Sequence, residues 1–441
     1  MYLETSSIKF NSSRRKIFWL VWGNYAAFYL IRVNISAAIP EMINEFGVSK
    51  TLMGSVLTVF FIIYAIGQFV NGQLVDRFGG KKLLAIGIIA SSIINIAFGF
   101  LAGNIILMLI LWGLNGFFQS MGWSSSVKVI ANWFPPKTRA RGAGLLGTSY
   151  QMGNAASLVL AGLLISLLGW RWAFWIPGII CILLSILWLF KSSDTPEKAG
   201  LPPVGDDYRV KSENRETKEK YPGLKSTIKL VLFNRGIWIV AISMFFLDFI
   251  RIGFMFWAIT YLFENNQTPV SLAAFKIMII PVSGSIGALF SSWFVNKYLK
   301  KRSVRIIPIM LFLLVITCFI FLRISINNLI INLILLVLIG FFLYGPHVLM
   351  SAYLPIEYAT RRAAASAAGF IGGWAYIGAA LTSFLSGFLA DNLGWDSVFY
   401  LWMSGGLISA ILMALLWNYK PKKKSLNHYR RENGKSVGGN I

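Results

Sequence analysis

Apolar residues in this chain do not alternate with polar ones. They gather in runs of about 18 residues or more, separated by short charged stretches, and a helix of that length crosses a hydrocarbon core of about 30 Å. The pattern predicts twelve helical spans near 17–40, 51–75, 83–102, 105–132, 142–168, 171–190, 236–263, 271–296, 305–323, 329–354, 364–390 and 396–418. The short alternating segments of a membrane β-barrel are not seen. The expected fold is therefore an all-α membrane protein. Between the sixth and seventh spans, SSDTPEKAGLPPVGDDYRVKSENRETKEKYPGLKS (192–226) is polar, charged and rich in Pro and Gly, and it reads as a linker.

The two sides of this linker repeat one another. RGAGLLGTSYQMGNAAS and LLGWRWAF in residues 141–174 answer RAAASAAGFIGGWAYIGAALTS and NLGWDSVF in residues 362–399. Gly122-Trp123 answers Gly345-Pro346, and WFP (133–135) answers YLP (353–355). The offsets cluster near 220 residues. Two six-span halves related by a repeat is the plan of major facilitator transporters, which bind substrate near the midplane between the halves. The expected domains are an N-terminal six-helix bundle over 1–191, a cytoplasmic linker over 192–234, a C-terminal six-helix bundle over 235–419 and a basic tail over 420–441.

Composition changes the picture only in its charge. Hydrophobic residues make up 56% of the 441 and charged ones 13%, about half the share of a soluble domain. The net charge of +24 would suggest nucleic acid in a soluble protein, but here it sits in loops and tails. Arg14, Arg15, Lys16, Arg77, Lys81, Lys82, Lys137, Arg139, Arg141, Lys297, Lys300, Lys301, Arg302, Arg305, Arg361, Arg362 and the tail from Lys420 fall on one side of the predicted topology. Lys50, Arg171, Lys276 and Arg323 fall on the other. By the positive-inside rule both termini and the linker face the cytoplasm of a cell membrane. The N-terminal basic and apolar stretch reads as a retained first span, because no small-residue cleavage site follows it. Cys181 and Cys318 lie singly in apolar spans and read as inert packing residues. No metal or cofactor site, and no nucleophile–base pair of an enzyme, is visible. The expected partners are the lipid bilayer and a small anion, with no nucleic acid, and the chain is expected to act as a monomer.

Two charges stand inside spans. Arg32 lies in FYLIRVNISAAIP (28–40) and Arg251 in MFFLDFIRIGFMFW (244–257). Arginine keeps its charge in proteins, and at the centre of a bilayer that charge costs about 2.5–3.5 kcal/mol on insertion scales. They are 219 residues apart, so each occupies the same place in the first span of its half. A pair of planar, bidentate donors approaching from two halves suits one anion. The alternative is a pair of structural charges satisfied by carbonyls.

The motifs carry a resemblance. NGQLVDRFGGKK (71–82) resembles the major facilitator signature at Gly72, Asp76, Arg77 and Gly79, which implies that Asp76 joins a network closing the cytoplasmic side. Its C-half counterpart has Asn296 where the Asp would stand. GNYAAFYLIRVN (23–34), SMGWSSSVKVIANWF (120–134), IVAISMFFLDFIRIG (239–253) and residues 344–379 resemble the organophosphate:phosphate antiporters, which include the glycerol-3-phosphate and hexose-phosphate carriers. That resemblance implies that Arg32 and Arg251 clamp a phosphate, with Tyr25, Tyr29 and Tyr376 at the site. Three basic positions of that family are neutral here, at Val33, Gln68 and Gln151. The N-half stretches 32–40, 64–69 and 147–153 are similar instead to anion:cation symporters of hexuronates and aldonates, including both glutamines.

Asp248 precedes Arg251 by three residues, on the same helix face. It is either a structural ion-pair partner or a proton-carrying coupling residue. The leading expectation is an organophosphate:inorganic phosphate antiporter, with Gln68 and Gln151 giving neutral hydrogen bonds. The alternatives are a proton- or sodium-coupled symporter of a sugar acid or other carboxylate, and an anion sensor that does not transport.

Overall fold

The structure is a computed structural model, and it describes residues 2–202, 232–299, 303–323, 328–358 and 364–419. The linker from 203 to 231, Lys300–Arg302, Arg361, Arg362 and the basic tail from 420 lie outside the described residues, as do the side chains of Asp76, Lys137, Arg139 and Arg141. Twelve helical stretches among the described residues are long and apolar enough to cross a bilayer, and each coincides with a predicted span. Cys181 and Cys318 are both buried and unpaired with each other.

The N-half contains α1 (Tyr2–Leu30), α2 (Asn34–Phe46), α3 (Lys50–Phe78), α4 (Gly80–Leu101), α5 (Ile105–Gln119), α6 (Met121–Trp133), α7 (Pro136–Leu168) and α8 (Trp172–Lys191). The C-half contains α9 (Arg235–Asn266), α10 (Val270–Ile277), α11 (Ile279–Phe294), α12 (Ile306–Arg323), α13 (Leu329–Val348), α14 (Leu354–Tyr358), α15 (Ala364–Asn392) and α16 (Trp395–Ala414). Four spans are thus built of two helices end to end, the first, fourth, eighth and tenth. The eighth divides at Met278, three residues before Pro281, where proline removes a helix hydrogen bond. The tenth runs through Pro346 into a π-turn at Leu349–Tyr353. The fourth divides at Ser120.

The first span departs most from expectation. It was expected to run unbroken over 17–40, yet it breaks at residues 31–33, at Arg32 itself. Neither Gly nor Pro stands there. The cause is tertiary. The Ile31 carbonyl accepts hydrogen bonds from Asn95 Nδ2 at 2.8 Å and Asn115 Nδ2 at 3.1 Å. Asn34 Nδ2 in turn donates to Asn95 Oδ1 and to the Ala173 carbonyl. A break in the membrane is tolerated only where protein replaces the lost backbone partners, and these buried amides from α4 and α5 do so.

The halves meet along α3 and α15. Near the start of α3 a Cβ on Gly54 would stand 2.6 Å from the Ser383 carbonyl oxygen, and one on Gly387 would stand 2.3 Å from that of Lys50. Only glycine permits so close a backbone approach. Asp391 of α15 accepts the Lys50 and Thr51 backbone N–H groups at 3.2 and 2.7 Å and the Thr51 hydroxyl at 2.6 Å. It therefore caps α3 from the other half. Lys50 Nζ also reaches Glu264 at 3.2 Å.

At the opposite end of the N-half, the residues after α8 fold back under the signature turn. Asp194 Oδ1 accepts the Lys81 N–H at 3.0 Å, Ser192 O accepts Lys81 Nζ, and Trp133 Nε1 donates to Ser193 O. Gly79 has φ +89° and would drive a Cβ to 2.5 Å from Asp194 Oδ2. Its glycine identity thus answers both to backbone conformation and to Asp194. Gly72 lies within α3, and Arg77 packs its guanidinium over Phe78 at the exposed end of that helix.

Candidate functional site

Arg32 is 5% exposed, at the break between α1 and α2. Its guanidinium lies over the rings of Tyr29 at 4.5 Å and Tyr64 at 4.9 Å, with Phe60 at 5.9 Å. Such faces attract a cation strongly where water is excluded. Nε donates to Gln119 Oε1 at 2.9 Å. Nη2 is buried with no hydrogen-bond partner among the described residues.

Arg251 is held differently. Its Nε and Nη2 donate to the two oxygens of Asp248 at 2.6 and 2.7 Å. Asp248 is fully buried, while the Arg251 side chain keeps 15% of its surface exposed. The α9 turn that joins them sets this fork-to-fork geometry, because i and i+3 share a helix face. The coupling candidate is therefore an ion-pair partner of the second arginine in this structure. Two guanidinium charges and one carboxylate leave the centre with one net positive charge.

An aromatic shell connects the two arginines. Tyr25 packs on Trp123 at 5.3 Å and on Tyr29 at 6.0 Å, and Tyr29 on Tyr150 at 5.9 Å. Across the halves, Tyr64 meets Tyr376 at 4.7 Å and Tyr150 meets Tyr344 at 6.5 Å. Tyr29 and Tyr376 each stand near enough to interact electrostatically with both arginines. His347 of α13 lies 6.0 Å from the Tyr344 ring.

Gln151 of α7 is buried, and its Oε1 accepts from Ser285 Oγ of α11 at 2.6 Å. It belongs to the seam between the halves. Gln68 lies on α3 a turn beyond Tyr64 and is half-buried. Arg32, Tyr25, Tyr29 and Tyr376 thus share one aromatic shell with Tyr64, Arg251 is paired with Asp248, and Gln151 bonds across the seam to Ser285.

Sequence reasoning passed over Gln119, Tyr64, Tyr150 and Tyr344. Two signals were present. Gln119 is a polar residue inside an apolar span, which marks a bundle-facing position. Tyr64 precedes Gln68 by one helical turn.

These features define a twelve-span secondary transporter with a charged centre between two halves. The sequence matches the Major Facilitator Superfamily over residues 21–383 and 357–439, and the chain belongs to that superfamily; it is not an enzyme. Within it, the chain falls with the organophosphate:phosphate antiporter group. It is 29% identical to a probable hexose phosphate transport protein of Chlamydia pneumoniae, across 95% of this chain and 94% of that protein. It is 30% identical to the glycerol-3-phosphate transporter of Bacillus subtilis, across 92% of each. It is 28% identical to the membrane sensor protein UhpC of Escherichia coli, over 93% of this chain and 94% of that one. Among solved structures, the D-xylose-proton symporter shares the fold with a TM-score of 0.68 at 15% identity, covering 92% of this chain and 97% of that chain.

Proposed function

We propose that the chain exchanges a phosphorylated organic anion for inorganic phosphate by alternating access, with Arg32 and Arg251 as the anion clamp. What supports this is an arginine at the equivalent place in each half, Arg32 on the rings of Tyr29 and Tyr64 and Arg251 paired with Asp248, with Tyr64 meeting Tyr376 across the halves. Relatives named for hexose phosphate and glycerol-3-phosphate support the substrate class. Guanidinium groups bind phosphate oxygens in planar, bidentate fashion. Bound between the halves, the anion neutralises charges that otherwise repel, so the loaded carrier reorients more readily than the empty one. Such coupling requires the anion to bind the two states differently.

The orientation belongs to this proposal. With the positively charged loops in the cytoplasm of a cell membrane, the Lys50–Asp391 end faces outward. The glycine approach and the Asp391 cap then seal the outer face.

Asp248 supports a second reading. Its pairing with Arg251 lowers the charge of the site, which suits a carboxylate taken up with a proton. That would make the chain a symporter of a sugar acid.

Arg32→Lys and Arg251→Lys test the clamp. In proteoliposomes loaded with phosphate, uptake of labelled glucose 6-phosphate should fall at least ~tenfold in each, because lysine cannot form the fork. Wild-type uptake by either variant, with equal protein in the membrane, refutes it.

A further inference from the structure

The two arginines of the clamp are not held alike. Arg251 is matched by a carboxylate, and Arg32 by a neutral amide. The amide is not free to turn. Gln119 Nε2 donates to the Phe28 carbonyl at 3.0 Å and to Ser91 Oγ at 3.0 Å. Ser91 gives its own proton to Asn115 Oδ1, so its oxygen is left to accept from Gln119. Asn115 is tied to the Ile31 carbonyl. Both amide hydrogens are thus spoken for by the break in the first span and the polar group that holds it open. Oε1 is left facing Arg32 Nε, and that bond fixes the plane of the guanidinium. Gln119, Ser91 and Asn115 are fully buried, and Arg32 nearly so. Beyond this bond, Arg32 Nη2 remains buried with no hydrogen-bond partner among the described residues.

We propose that Gln119 is the positioning residue of Arg32: its locked amide aims the guanidinium while leaving its charge uncompensated, so that Arg32 supplies the free charge of the clamp and the Asp248-paired Arg251 its second arm. This rests on the reading that the arginines hold the substrate anion. It adds which arginine carries the free charge and what sets its direction. A carboxylate at 119 would accept from Arg32 Nε as the amide does. It would also bring the net charge of the site to zero and leave the Phe28 carbonyl and Ser91 without their donor.

The test uses the purified full-length protein and labelled inorganic phosphate. Gln119→Glu should bind phosphate at least ~tenfold more weakly than wild type. Adding Asp248→Asn to it returns the net charge to its wild-type value and should recover part of the loss. Gln119→Met keeps the charge and removes both the acceptor for Arg32 and the donor to Phe28 and Ser91. If Gln119→Glu fails to fold, Gln119→Met carries the test, with a raised KM for phosphate exchange at a retained maximum rate. A merely structural role would lower the amount of folded protein and leave KM unchanged. Binding within about twofold of wild type by the folded variants overturns the proposal, as does a double variant no better than Gln119→Glu. If wild-type protein binds no phosphate, the antiport reading falls on its own. The same variants are then compared with labelled glucuronate, and the same criteria apply. Wild-type protein that binds neither anion overturns both.

Discussion

At the scale of single residues, the charge of the centre sets which ionic form of a substrate fits. One net positive charge matches a monoanion, whereas a phosphate monoester loses its second proton near a pKa of about 6. Uptake by the wild type should therefore weaken as the pH rises through that range. Asp248→Asn raises the net charge by one and should flatten the decline, which is checked by measuring KM for glucose 6-phosphate from pH 5 to 8. An unchanged pH profile would return Asp248 to a structural role. The two arginines were legible in the sequence, because a fixed charge in an apolar span is conspicuous and the internal repeat pairs them. Their different partners were only half legible. Asp248 follows from helix spacing. Gln119 is 87 residues from Arg32, and nothing local to either residue points to the other.

At the scale of elements, hydropathy gave each of the twelve spans, since length and apolarity are what a bilayer demands. It did not give the break at Arg32. Breaks with a local cause were readable, such as the one at Met278 ahead of Pro281. The first span instead opens because Asn95, Asn115 and Gln119 offer its carbonyls better-placed donors. The interhalf seal was likewise invisible: Asp391 caps a helix that begins some 340 residues earlier in the chain. Losing a helix cap costs about 0.5–2 kcal/mol, and here that loss also removes a bond between the halves. Asp391→Ala should loosen the seal. Thr58, whose hydroxyl donates to the Ala380 carbonyl beneath it, reports on this when replaced by cysteine. A membrane-impermeant maleimide added outside should label Thr58→Cys faster in the Asp391→Ala background. Equal labelling rates would mean that glycine packing alone closes this face.

At the scale of the whole molecule, three features come together: two halves in close contact at one end, an arginine in the first span of each, and one carboxylate that offsets half of their charge. A carrier of this kind should reorient poorly when empty. The most direct measurement is counterflow of labelled phosphate in proteoliposomes. Vesicles loaded with unlabelled phosphate should accumulate external labelled phosphate transiently, and vesicles without internal phosphate should take up little. Equal uptake into loaded and empty vesicles, or uptake that collapses when the proton gradient is dissipated, would contradict exchange. Binding without any flux would contradict transport itself and leave the chain an anion sensor.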